Sequence, residues 1–166
     1  AARAAPDGYT LFFGTAATHS INPNVYRKLP YKPADFAPIS MMAIYPYVLA
    51  ATPGLAANTV KELVALAKAK PGALSYGSPG HASTGHLGGI LFELMAGIRW
   101  VHVPYKGAAP ALVDLMAGHL PLLMTGFPSL GGNARSGRVK LIAVTTEKRL
   151  AAWPDIPTFD ESEIGR

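Results

Sequence analysis

The sequence predicts an α/β fold: a largely parallel sheet with helices on both faces. Three observations carry this. From residue 59 to residue 145 the apolar spacing alternates between helix and strand periods, in the order α-β-α-β-α-β-α-β. Hydrophobic residues make up 49% of the 166 residues against 15% charged, enough to fill the interior such a sheet encloses. Glycine, proline and hydroxyl residues gather at the joints between these segments, where the chain must turn.

Taken in order, the Asp7-Gly8 turn starts a short strand over residues 9–13. Gly14-Thr15 leads into a short helical stretch, with Thr15 or Thr18 as N-cap. Asn22-Pro23 and Leu29-Pro30 break the next part, and residues 36–42 and 47–52 read as two further strands. Thr59 with Glu62 three residues on is a capping-box pattern, and Val60, Leu63, Val64 and Ala67 share one face of the helix it opens. Pro71-Gly72 stops that helix, and residues 74–76 form a short strand. A second helix follows, in which Leu87, Ile90, Leu91, Leu94 and Met95 keep helical spacing and Gly97 is the C-terminal cap. Residues 100–103 are a strand. A third helix starts near Pro110 and stops at Gly118. Residues 120–124 are a strand whose Pro121 implies an edge position or a late start. A short helix near 129–135 and a strand over 139–145 complete the series. Beyond Glu147 the pattern fades into the stiff connector Trp153-Pro154-Asp155-Ile156-Pro157. Both ends read as cut from a longer chain.

The net charge of +5 comes from scattered lysines and arginines, which suits small anions and argues against a nucleic-acid groove. With no cysteine, disulfides, cysteine-ligated zinc and thiol chemistry are excluded. No stretch reaches the roughly 18 uninterrupted apolar residues of a membrane-spanning helix.

The stretch YGSPGHASTGHLGG, residues 76–89, has more backbone freedom than a corner needs. In a parallel sheet such a loop lies at the carboxyl end of a strand, facing a helix N-terminus whose N–H groups lack intrahelical partners. Ser78, Gly80, the Ala82 amide, Ser83 and Thr84 then make a cradle for a carboxylate or phosphate. The plainer reading is that Ser83 caps the helix and the glycines turn the chain. Pro104-Tyr105-Lys106-Gly107-Ala108-Ala109 has the same character, with Tyr105 placed to lie beside a ligand. The stretch from Gly14 to Thr18 is a third such loop, offering Thr15 and Thr18.

Sharper motifs fail. The loop has no lysine for a P-loop, no Gly-x-Gly-x-x-Gly and no Gly-x-Ser-x-Gly elbow. His81 and His86 are five apart, the other histidines are scattered and no His-Glu-x-x-His occurs, so neither a metal nor a cofactor is expected. Holding fits these loops better than reacting, and no catalytic residue is assigned. The rival reading is a serine hydrolase with Ser78 or Ser83 as nucleophile and His86 or His102 as base. A fragment without surviving activity is the third.

In combination, Tyr76-Gly77-Ser78-Pro79-Gly80, His102-Val103-Pro104-Tyr105-Lys106-Gly107, Pro6-Asp7-Gly8-Tyr9-Thr10-Leu11 and Pro154-Asp155-Ile156-Pro157-Thr158 resemble the substrate-binding proteins of tripartite tricarboxylate transporters, the Bug family. The resemblance implies a two-lobed periplasmic-binding-protein fold of Venus-flytrap type that closes on a small carboxylate and delivers it to a membrane permease. It implies a partial first lobe over 1–51, a second lobe over 52–140 and a return strand and connector over 141–166, with 47–52 and 139–145 as the crossing strands. The loop matching 78–84 would hold the carboxylate and the one matching 14–18 would face it. Ala82 stands where the family usually has glycine, and Leu120-Pro121 with Thr125-Gly126 replaces a stretch that often carries aspartates. An incomplete first lobe is expected to bind weakly and to expose apolar surface that favours a homo-oligomer.

Overall fold

The computed structural model describes residues 1–162 and 164, and the chain divides into two compact units, Ala1–Ile44 and Tyr45–Arg166. The first unit has a short π-helical turn, Ala17–Ile21, running into helix α1, Asn22–Val25, and a single turn at Pro33–Asp35. Phe12 stacks on Phe36 at 5.1 Å, and the Tyr31 hydroxyl donates to the Thr18 carbonyl at 2.7 Å. None of residues 1–44 is buried. The strands expected over 9–13 and 36–42 are not formed. A strand is held by hydrogen bonds to a neighbour, and neither segment has a ladder partner among the described residues; Tyr9, Leu11, Phe13, Ile39 and Met41 stand largely exposed.

The second unit is built on a five-stranded sheet of β1 (Tyr47–Ala51), β2 (Ser75–Ser78), β3 (Val101–Pro104), β4 (Leu122–Gly126) and β5 (Lys140–Val144), in the order β3-β2-β4-β1-β5. β2 runs parallel to both β3 and β4, as the alternating pattern predicts. β1 departs from it and lies antiparallel between β4 and β5, so the sheet is mixed. Pro121 marks a late start rather than an edge. The central strand β4 begins one residue after it, and its carbonyl receives the Thr52 N–H at 3.0 Å.

Side-chain alternation along the strands feeds two cores. Leu49, Ala51, Leu122 and Met124 meet helix α2 (Val60–Ala69) and helix α3 (Thr84–Ala96) on one face; Val48, Ala50 and Leu123 meet helix α4 (Ala108–Ala117) on the other. Helix α5 (Gly131–Arg135) is a single short turn before β5. The Thr59–Glu62 capping box is formed in both directions, Glu62 N–H to Thr59 Oγ1 at 3.2 Å and Thr59 N–H to Glu62 Oε2 at 3.3 Å, worth about 1 kcal/mol for the Thr59 cap.

α3 exists where its spacing predicts, and Gly97 ends it at φ 59°. Its buried face, however, is Gly85, Gly89, Phe92 and Ala96, while Ile90, Leu91, Leu94 and Met95 are exposed. The glycines explain the choice. A Cβ at 85 would overlap the Met124 carbonyl oxygen, and one at 89 would overlap the Tyr76 ring. Only a face without side chains at these two points can lie that close to the sheet.

Candidate functional site

β2 and β4 run in the same direction, and their carboxyl ends open between the N-termini of α3 and α4. A cleft of about 340 Å³ lies there, lined by Tyr45, Tyr47, Pro79, Ala108, Thr125, Gly126, Pro128 and Ser129. That is near the lower end of the roughly 300–1,000 Å³ of small-molecule pockets, which favours a small guest. The Tyr45 ring covers Gly126, where a Cβ would meet it at 2.6 Å. Burial raises the Tyr47 phenol above its ordinary value, the Thr84 hydroxyl bonded to it acts the other way, and Tyr45 raises it further. Tyr47 is therefore a neutral donor at pH 7, as a site for anions requires.

The loop expected to form the cradle is only partly available. Ser78 is fully buried, and its Oγ lies 2.7 Å from His102 Nε2 while donating to the Gly80 carbonyl at 3.0 Å. The Gly80 N–H is directed back to the Ser78 Oγ at 3.3 Å. Ser83 takes the capping role: its Oγ accepts the His86 N–H at 3.2 Å and donates to Ser78 Oγ at 3.3 Å. Ala82 sits at φ 55°, and its N–H goes to His86 Nδ1 at 3.1 Å. Ser78, Gly80, Ala82 and Ser83 thus engage their polar atoms inside the loop, because a tight turn satisfies its own donors first. Of the expected cradle the Thr84 N–H stays open, as does the N–H of His81 within the loop, with no partner among the described residues. The N–H groups of Thr84 and Gly85, at the first two positions of α3, have no partner among the described residues.

The second loop contributes in the same way. Gly107 is the N-cap of α4 at φ 111° with no side chain to close the helix end, and the Ala108 and Ala109 N–H groups have no partner among the described residues. Tyr105, placed beside a ligand by the sequence, instead donates its hydroxyl to Asp114 Oδ2 at 2.7 Å; burial, then Asp114, push its phenol up to about 12. It braces the loop from below and is not among the residues lining the cleft. Thr15 and Thr18, in the first unit, close on each other. The Thr18 Oγ1 accepts the Thr15 N–H at 2.8 Å and donates to the Thr15 carbonyl at 2.9 Å.

Sequence spacing missed Tyr45, Tyr47, Thr125 and Ser129. Thr125-Gly126 was legible in principle, since it ends a strand parallel to β2, and such ends are where open sheets bind ligands. Ending the strand at Met124 hid it. Spacing also separated three histidines that the fold unites. β3 pairs with β2 in the register Tyr76↔His102, which sets the His102 ring against His86 at 3.9 Å and His81 at 5.5 Å.

The Ser78–His102 distance is that of a nucleophile and its base, and the rest of the site speaks against hydrolysis. Ser78 has no exposed surface, and among the described residues no carboxylate bonds the His102 ring. Burial first, then the neighbouring His86 and His81, push His102 down to about 4, leaving it a poor proton acceptor at pH 7.

The model of the tripartite tricarboxylate transporter family receptor matches residues 1–166. Protein BugT of Bordetella pertussis is 33% identical over 96% of this chain, which covers 50% of BugT. Among solved structures, a Rhodopseudomonas palustris protein with adipate is 38% identical with a TM-score of 0.94, over 98% of this chain and 55% of that one. MatC from Rhodopseudomonas palustris with bound malate is 27% identical with a TM-score of 0.90, over 98% of this chain and 56% of that one. The chain spans about half the length of the curated relatives it matches.

Proposed function

The chain belongs to the tripartite tricarboxylate transporter receptor family, and from that premise we propose that it forms part of a periplasmic solute-binding protein. Its guest is a small carboxylate, passed on to the membrane permease of the transporter, and no bond is made or broken. The observation that carries this reading is a small cleft with Ala108, at the mouth of α4, in its lining and Thr84, at the mouth of α3, beside the lining residue Tyr47. The unpartnered N–H groups of Thr84, Gly85, Ala108 and Ala109 present partial positive charge without a competing counter-ion. The phenols of Tyr45 and Tyr47 and the hydroxyls of Thr125 and Ser129 add donors that fix orientation. The adipate and malate held by the two Rhodopseudomonas palustris proteins support the same chemical class. The lobe boundaries at 51/52 and 140/141 are part of this proposal. Among the described residues no helix is long and apolar enough to cross a membrane.

Calorimetric titration with malate, adipate and their uncharged diamides tests the reading. Saturable binding of an acid, with its diamide at least tenfold weaker, is expected because charge-assisted bonds to the helix mouths are lost (about 1.5–3 kcal/mol each). Equal binding of acid and diamide, or binding of neutral sugars alone, overturns it.

A further inference from the structure

The loop before α3 and the first turn of that helix bring His81 and His86 up to His102 on β3, and one ring nitrogen from each lies within 4.8 Å of the others. His81 meets the other two rings edge-on, at 5.7 Å from His86 and 5.5 Å from His102. We infer that His81, His86 and His102 form a three-histidine site for a divalent transition-metal ion of the zinc type, with the fourth position open to solvent beside the exposed His81.

The surroundings of each ring support this. Ser78 directs its own proton to the Gly80 carbonyl, so the 2.7 Å contact assigns the Nε2 proton to His102 and leaves the Nδ1 lone pair for a metal. An outer hydroxyl fixing the tautomer of a ligating imidazole is the usual support of such sites. Three imidazoles with an open position match the donor set of open zinc sites. One ring has to turn. His86 and His102 are stacked within 18° of parallel, so their lone pairs run side by side. Rotating His86 about its Cβ–Cγ bond gives up the Ala82 N–H and brings a nitrogen round to the metal. Metal–nitrogen bonds of about 2.0–2.1 Å require ligand nitrogens roughly 3.3 Å apart, and the turn of His86 and the freedom of the exposed His81 side chain close that gap. Loading is therefore coupled to the loop, because the Ala82 N–H, held at φ 55° in the resting arrangement, is released.

The test is calorimetric titration of the tag-free, chelator-washed protein with zinc chloride. One zinc per chain is expected. Substituting His81→Ala, His86→Ala or His102→Ala should weaken binding by about tenfold or more, and His119→Ala, a surface histidine 3.8 Å from Asp114, should leave it unchanged. Because His102→Ala can disturb packing, imidazole nitrogen NMR of the unaltered chain is the second readout. Zinc should move the ring resonances of His81, His86 and His102 and the amide of Ala82. No saturable binding, equal weakening by His119→Ala, or shifts confined to His19 and His119 overturns the inference.

Discussion

α3 and α4 open on the same cleft with differently finished ends. The α3 end carries a side-chain cap: Ser83 takes the His86 N–H, while the Thr84 and Gly85 N–H groups before it keep no partner among the described residues. The α4 end is bare. Gly107 supplies no cap, Pro110 removes one donor from the first turn, and the N–H groups of Ala108, which lines the cleft, and Ala109 have no partner among the described residues. A closed end adds stability, whereas a bare end keeps its field for a guest. On the proposed reading the two ends divide the labour, the capped α3 adding more to stability and the uncapped α4 keeping more of its field for an anion.

Gly85→Ala attacks the frame and should have the largest effect. Its Cβ would enter the Met124 main-chain carbonyl, which cannot swing aside, at a cost of about 1–3 kcal/mol or more; a lower denaturant midpoint with unchanged m-value is the expected reading. Ala108→Asp attacks the pull. A fixed carboxylate at the bare end should weaken a carboxylate guest by on the order of a hundredfold, while the helix itself gains about 0.3–1 kcal/mol. Opposite signs in titration and melting would establish the division, and unchanged affinity would break it. Ser83→Ala should cost about 1 kcal/mol of stability and leave affinity almost unchanged. If affinity collapses instead, α3 is the anion end.

A further effect is with pH. Burial, then neighbouring rings, hold His86 below its ordinary value, and His102 is lowered from 6.5 to about 4. Between these values the unfolded chain binds protons that the folded chain refuses, so stability is complete above about pH 6.5 and declines as pH falls toward 4. In chelating buffer the melting temperature should fall over that window, and His102→Gln should flatten the slope.

Where a pattern depends on near neighbours in sequence, it was legible. The Thr59–Glu62 box, the Ser83 cap and the glycine stops at 97 and 118 all stand as their residues predict. Patterns that depend on what lies across space were not. The apolar spacing of α3 announces a helix but not its buried face, which the close approach at Gly85 and Gly89 decides. Residues 9–13 and 36–42 have strand composition but no neighbour to pair with among the described residues. The antiparallel direction of β1, the packing of Tyr105 onto Asp114 of α4, and the β2–β3 register that brings His102 to His81 and His86 are set across space, which composition does not encode. The site was legible as a place, a helix mouth at a strand end. Of the expected cradle Thr84 keeps an open N–H, and the fold adds Gly85 beside it and Thr125 on β4 to the candidate site.

Where α3 touches the end of β4 at Gly85, main chain rests on main chain. The gauge of the opening is then set by parts that every residue shares, and the side chains projecting into it are fittings on a fixed rim. On the proposed reading, exchanging Tyr45, Thr125 or Ser129 singly would alter the lining while the main-chain contact at Gly85 stays in place.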